Sequence, residues 1–401
     1  MKNTQIIEKK IYIEKHTKKF NQIILSLFLG GFSSFSILYS VQSILPIFSK
    51  QFCLTAAESS LSLSATTSTM AIGTLLIGIL SDVIGRKLIM SISLLVASIL
   101  TIICSTVDHW KTIIFIRALI GLSLSGVVAI AITYIVEEIH SNSLSFCIGL
   151  YISGNTIGGC AGRIISSIIA DHFSWHTSLF TIGFFSLISS FLFLYFLPAS
   201  NNFYPISIDY KKFFNNFYLH LKNPILSMLF MIGFLLMGSF ITIFNYIGYR
   251  LILKPFLLSA SSIGLLSIIY LTGVYSSPKA GILTNKYKKE NILIISLLLM
   301  IVGLLITQFN QIIIIILGLI IFSGGFFASH SIASSWVSRQ AKFAKVQATS
   351  LYVFFYYLGS SIFGTFSGFF WFYSKWLGIS IFMIIILICG IFLSAQLKKF
   401  S

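Results

Sequence analysis

Apolar residues in this chain come in long runs separated by short polar breaks. The runs occupy residues 22–48, 59–80, 88–105, 112–136, 144–170 and 175–198, then 225–249, 260–282, 291–307, 311–337, 347–372 and 376–396. About 20 helical residues cross the hydrocarbon core of a bilayer, so the pattern predicts twelve membrane spans in two sets of six. Lipid offers backbone amides no partners, which leaves helices or closed barrels as spanning structures. Barrel strands alternate in polarity, and these runs do not. The expected fold is therefore an all-α integral membrane protein of twelve transmembrane helices in two six-helix, pseudo-symmetric halves. Pro46, Pro198, Pro205, Pro224, Pro255 and Pro278 are read as sitting at span ends or in loops, none in the middle of a span.

Five segments follow: a cytoplasmic tail over 1–19, the first half over 20–198, a polar, aromatic cytoplasmic linker over 199–224, the second half over 225–396, and a cytoplasmic tail over 397–401. Six Lys and two Glu precede the first run, and no small-residue cleavage site follows. An uncleaved first span is expected.

Composition agrees, with 56% hydrophobic and 9% charged residues. The net charge of +17 changes meaning once its distribution is read. If the N-terminus is cytoplasmic, 20 of the 27 Lys and Arg lie on that side and five on the other. This positive-inside bias predicts a multi-pass protein of the cell inner membrane with both termini in the cytoplasm. It removes the need for a nucleic-acid partner, leaving the lipid bilayer and a small-molecule solute as expected partners and a monomer as the expected state. The five Cys are scattered without paired spacing and suggest neither disulfides nor a metal site; no cofactor is expected.

The halves echo each other. "GILSDVIGRK" after the second span returns as "GILTNKYKKE" after the eighth, placing Asp82 opposite Asn285, and "GNTIGG" in span five meets "GSSIFG" in span eleven. "GILSDVIGRKLIM" resembles motif A of the major facilitator superfamily, the loop between its helices two and three. "FIRALIGLSLSG" resembles motif B, with Arg117 and Gly121 in place, and "GNTIGG" resembles motif C of the antiporter branch, with Asn155 where that motif has Pro. The resemblance covers essentially the whole chain. It implies a secondary transporter working by alternating access, as an efflux system coupled to protons; an importer or facilitator of a sugar or amino acid is the alternative on the same fold.

The same resemblance places Asp82 beside the start of helix eleven, near Ala348 to Leu351, in the outward-open state. A helix N-terminus carries partial positive charge, which favours a carboxylate there by up to about 2 kcal/mol. Gly78 and Gly85 are expected to permit close backbone approach and a tight turn. Arg86 can pair with Asp82, or with Glu137 or Glu138 at the end of span four. Asn285 has no carboxylate, so the second-half loop is expected to latch more weakly.

Guanidinium groups inside spans cost at least about 2.5 kcal/mol each and need partners or a wet cavity. Arg117 matches the motif B arginine, which the resemblance ties to proton movement. Arg163 either binds an anionic group or a proton-linked partner, or reaches outward to Asp171. Span interiors hold no Asp or Glu, and His330 is the only histidine away from a span end; it serves either as a proton or substrate relay or as a packing residue. Tyr39, Gln42, Asn155, Asn245 and Tyr246 are candidates to line a cavity, Gln42 and Asn245 standing 203 positions apart. Gly154, Gly158, Gly159, Gly359 and Gly364 are candidates for tight helix packing.

A membrane enzyme would be expected to gather carboxylates, a His pair or a nucleophile with its base, and a channel to show a filter. Neither pattern is found in the sequence.

Overall fold

The computed structural model describes residues 12–15, 17–203 and 210–400. Lys2, Lys9 and Lys10 of the tail and Pro205 of the linker lie outside the described residues. The first half contains α1 (Lys18–Tyr39, resumed by Leu45–Gln51), α2 (Ala56–Ile84), α3 (Arg86–Cys104), α4 (Trp110–Glu138), α5 (Leu144–His172) and α6 (Trp175–Phe196). The second contains α7 (Pro224–Leu251), α8 (Ala260–Leu283, 3-10 over Leu266–Leu271), α9 (Lys289–Ile306) and α10 (Ile312–Gln340).

The last stretch, Lys345–Leu397, is not one rod. Ser374 and Lys375 leave helical geometry, and the Phe382 ring stacks on Phe370 at 4.2 Å. Twelve residues of straight helix would separate those rings by about 18 Å. The chain therefore folds back, and the stretch supplies α11 (345–373) and α12 (376–397). With that break the structure has the twelve membrane-crossing helices that the hydropathy predicts. Both described ends, the linker and the α2–α3 turn share one side, called here the terminal face; the other is the opposite face.

Local chemistry sets the boundaries. Thr17 caps α1, Thr55 and Glu58 form a capping box on α2, and Asn223 caps α7 directly before Pro224. Only Gly85 separates α2 from α3; its φ of 112° is a backbone conformation that a Cβ would strain. In the linker, His220 stacks on Phe343 of the α10–α11 loop at 4.6 Å, and burial lowers its pKa from the ordinary value.

Two prolines near span ends lie within helix. Pro278 lies in the last turns of α8. Pro46 lies within the first span, just after α1 unwinds through a 3-10 turn at Gln42–Ile44. Proline has no N–H to give the carbonyl four residues back and clashes with it, so the helix loosens at Gln42. The carbonyls of Ile37, Leu38, Ser40 and Leu45 then accept side-chain donors from other helices.

Glycines bring α5 against α1. A Cβ at Gly154 would stand 2.6 Å from the Phe28 carbonyl oxygen, and one at Gly162 would stand 2.6 Å from Ser36 Cα. Gly158 meets Phe32 in the same way, completing a four-residue spacing, and Gly359 repeats the contact against Phe234 in the second half. Gly159 and Gly364 depart from simple packing, since they face the side chains of Arg163 and Asn245 respectively. Gly78 was expected at a close approach, yet nothing lies within 4 Å of where its Cβ would be. Gly158→Val should therefore destabilise the protein by about 2 kcal/mol or more, and Gly78→Ala should leave the thermal midpoint of the detergent-solubilised protein unchanged.

Candidate functional site

The break in α1 organises the centre of the molecule. Arg117 from α4 is 1% exposed and donates from Nε to Ser62 O, from Nη1 to Ile37 O and from Nη2 to Leu38 O, at 3.0, 3.1 and 2.9 Å. It knots α1, α2 and α4 together with no carboxylate partner among the described residues. Arg163 of α5 reaches the same region. Its Nε donates to Gln42 Oε1 and its Nη1 to the Gly159 carbonyl, both at 2.6 Å, and its guanidinium lies over the Tyr39 and Tyr270 rings at 3.9 and 4.4 Å. The outward reach to Asp171 is not made.

Gln42 passes the line across the halves, its Nε2 donating to Asn245 Oδ1 at 2.7 Å. These residues hold equivalent positions in the two halves, so their contact marks the pseudo-twofold axis. Ser49 and Tyr249 add a second crossing at 2.6 Å, and Tyr249 also donates to Leu45 O. Gln42 thus divides its amide between Asn245 and Arg163, while Asn245 Nδ2 is buried without a partner. Tyr246, another cavity candidate, is fully buried and ties α7 to α11 through a bond to Gly364 O. Asn155 is half-buried, with its Oδ1 packed above Gly31 and unpartnered.

The side-chain hydrogen bonds that join the two six-helix sets through Ser49, Ser64 and Asp171 fall on the opposite-face side. Ser361 donates to Ser64 O, and Thr365 to Ser64 Oγ, between α11 and α2. Asp171, at the end of α5, accepts from the backbone N–H and hydroxyl of Ser261 in the first turn of α8, at 3.2 and 2.6 Å. A carboxylate of one half here meets the positive end of a helix of the other.

The terminal face is different. Asp82, 41% exposed, pairs at 2.5 Å with Arg86 of its own half, and Arg86 forks onto Glu137 of α4 at 2.8 and 3.1 Å. Glu138 takes no part in this cluster; its Oε1 accepts from the Asn202 backbone N–H. The start of α11 has no side-chain cap, and neither Gly78 nor its counterpart Gly281 has a close neighbour. Asn285 is exposed, and Lys289, at the position equivalent to Arg86, lies over the Trp336 ring at 5.4 Å. The side-chain hydrogen bonds named between the halves thus hold the opposite face together, while at the terminal face Asp82 and Arg86 bond within their own half.

Between the faces lies an aromatic wall that sequence spacing did not mark. Tyr270 packs on Phe240 at 5.0 Å, Phe240 on Phe326 at 3.9 Å, and Phe326 on His330 at 6.0 Å. His330 bonds Tyr352 through Nδ1 at 2.9 Å and lies 4.7 Å from the Tyr356 ring. His330 and Tyr356 keep solvent-accessible surface deep inside the bundle, as groups lining an open cavity would.

The Gln42–Asn245 bond is testable by a double-mutant cycle. Gln42→Ala and Asn245→Ala should couple by about 1 kcal/mol in thermal or denaturant stability, whereas Tyr246→Phe and Gln42→Ala should add independently.

Comparisons with known proteins agree with this architecture. The family model described as Major Facilitator Superfamily matches residues 27–362. An "Uncharacterized transporter" of Buchnera aphidicola subsp. Schizaphis graminum is 75% identical over 98% of this chain and 95% of its own. The "Inner membrane transport protein YnfM" of Escherichia coli K12 is 49% identical over 97% of this chain and 93% of its own. Among solved structures, a bacterial homolog of the human lysosomal transporter Spinster, in an inward-facing and unoccupied conformation, aligns with a TM-score of 0.79 at 13% identity, covering 96% of this chain and 98% of its own. The chain belongs to the Major Facilitator Superfamily of membrane transporters.

Proposed function

We propose that the protein moves a small molecule out across the inner membrane by alternating access, in exchange for protons. The observation that carries this reading is where the halves are bonded: the named cross-half bonds gather toward the opposite face, while at the terminal face Asp82 pairs within its own half. The distribution of Lys and Arg supports placing the terminal face in the cytoplasm, which makes this the inward-facing state.

The two faces carry matching devices. At the opposite face the α8 N-terminus is met by Asp171, and at the terminal face Asp82 waits on the open α11 N-terminus. Closing the second while opening the first would turn the cavity outward. Arg86 and Glu137 hold Asp82 in position for that exchange without crossing the halves themselves. Efflux rests on the resemblance of motifs A and C. Proton coupling is assigned to His330, a titratable group with access to the cavity and a hydroxyl partner in Tyr352 on another helix.

Two experiments in reconstituted vesicles test this. Asp171→Cys with Ser261→Cys, in a background without the five native cysteines, should lower flux at least tenfold on oxidation and recover it on reduction; full flux in the cross-linked state contradicts alternation. His330→Gln should lose flux driven by an imposed pH gradient while retaining solute exchange within about twofold, and unchanged gradient-driven flux removes the coupling role.

A further inference from the structure

Of the four arginines that are not exposed, Arg163 is bonded differently. Arg86 engages Ser81 and Asp82 through Nη1 and Glu137 through Nη2. Arg117 gives Nη1 and Nη2 to carbonyls of α1. Arg250 gives Nη1 to Thr307 O and Nη2 to carbonyls and a side chain at the end of α9, where the helix dipole favours a cation. Arg163 has bonds on Nε and Nη1, and its Nη2 donates none among those the described residues make. It pairs with no carboxylate among the described residues and is 3% exposed.

What surrounds this free donor is selective. Tyr39 and Tyr270 present ring faces, which stabilise the cation without neutralising it. The Tyr270 hydroxyl is itself buried without a partner. A void of about 20 Å³, room for one water-sized atom, adjoins Arg163 and is lined by Gln42, Ser43, Ser267 and Tyr270. A fixed charge, an unfilled N–H and an unfilled O–H beside a small space complement a group that only accepts. A carboxylate is such a group, and guanidinium binds it better than any other side chain does. From the same Tyr270 the aromatic wall leads through Phe240 and Phe326 to His330, giving an apolar body somewhere to lie.

We propose that the transported solute is an organic anion with an apolar, ring-sized body, whose carboxylate is received by Arg163 between Tyr39 and Tyr270. This rests on the transporter reading and adds the substrate class. It also joins recognition to closure. A carboxylate on Arg163 competes with Gln42 Oε1 for the guanidinium, and Gln42 is the residue that holds Asn245 across the halves.

The test uses benzoate, benzamide and benzylamine, one ring with a negative, neutral or positive substituent. Binding to the purified full chain in detergent is read as a rise in thermal midpoint, and exchange is read in reconstituted vesicles. The expected result is binding of benzoate alone, weakened at least tenfold in Arg163→Gln and partly kept in Arg163→Lys. No binding of benzoate, equal binding of benzamide or benzylamine, or undiminished binding in Arg163→Gln overturns the proposal. If Arg163→Gln does not fold, the charge series on the unaltered protein together with Arg163→Lys decides. Exchange of benzylamine without benzoate overturns the anion site and leaves the transporter reading standing. Arg163-dependent benzoate binding without exchange of any solute upholds the site and overturns that reading.

Discussion

The hydrogen bond from Gln42 to Asn245 is the interaction around which this molecule is arranged. It sits on the axis relating the halves, and it is reached only because α1 is broken where Pro46 cannot complete the helix. The same break gives Arg117 two of its carbonyl partners and sets Gln42 under Arg163. In hydrocarbon each unsatisfied polar group costs several kcal/mol, so the exposed backbone of α1 has to be met by donors from neighbouring helices. Those donors come from α2, α4, α5 and α7, and they bind both halves to one unwound turn.

This makes the closure one-sided. Polar bonds across the halves are concentrated above the break, together with the Asp171 contact to the start of α8. Below it Asp82 is paired with Arg86 of its own half, and the start of α11 carries no side-chain cap. The arginine clusters are the rigid parts: Arg86 with Glu137 and Arg117 with the α1 carbonyls each lie within one half and have no reason to change as the halves rock. Arg163 belongs to neither group, since it touches the bond that crosses the halves.

Much of the fold was legible in the sequence, because hydropathy over some twenty residues is a direct statement about solvent. The α2–α3 turn was legible for a similar reason: an Asp, an Arg and two glycines are costly in a membrane protein unless placed at an interface. The equivalence of Gln42 and Asn245 could be read from the repeat, but not that equivalent residues touch, which depends on nearness to the axis. Pro46 reads as a span end because the eye counts apolar residues and does not see that Leu45–Gln51 resumes the helix. The tyrosines at 270, 352 and 356 left no signal, since in a chain with 17 Tyr they do not stand out by spacing, whereas Gly162 extends the four-residue spacing of Gly154 and Gly158. At the position equivalent to Arg86 the second half has Lys289, which lies over the Trp336 ring.

The central claim is that the two faces open and close in opposition about the Gln42–Asn245 contact. It is tested most directly by distances between spin labels in the full-length protein in lipid, one pair spanning α5 and α8 at the opposite face and one spanning α2 and α11 at the terminal face, measured across a range of pH. The account predicts that as the opposite-face distance grows the terminal-face distance shrinks, and that Gln42→Ala shifts the balance toward the outward-open pair of distances. Two distances that grow together, or an opposite-face distance fixed under all conditions and in that variant, would contradict it.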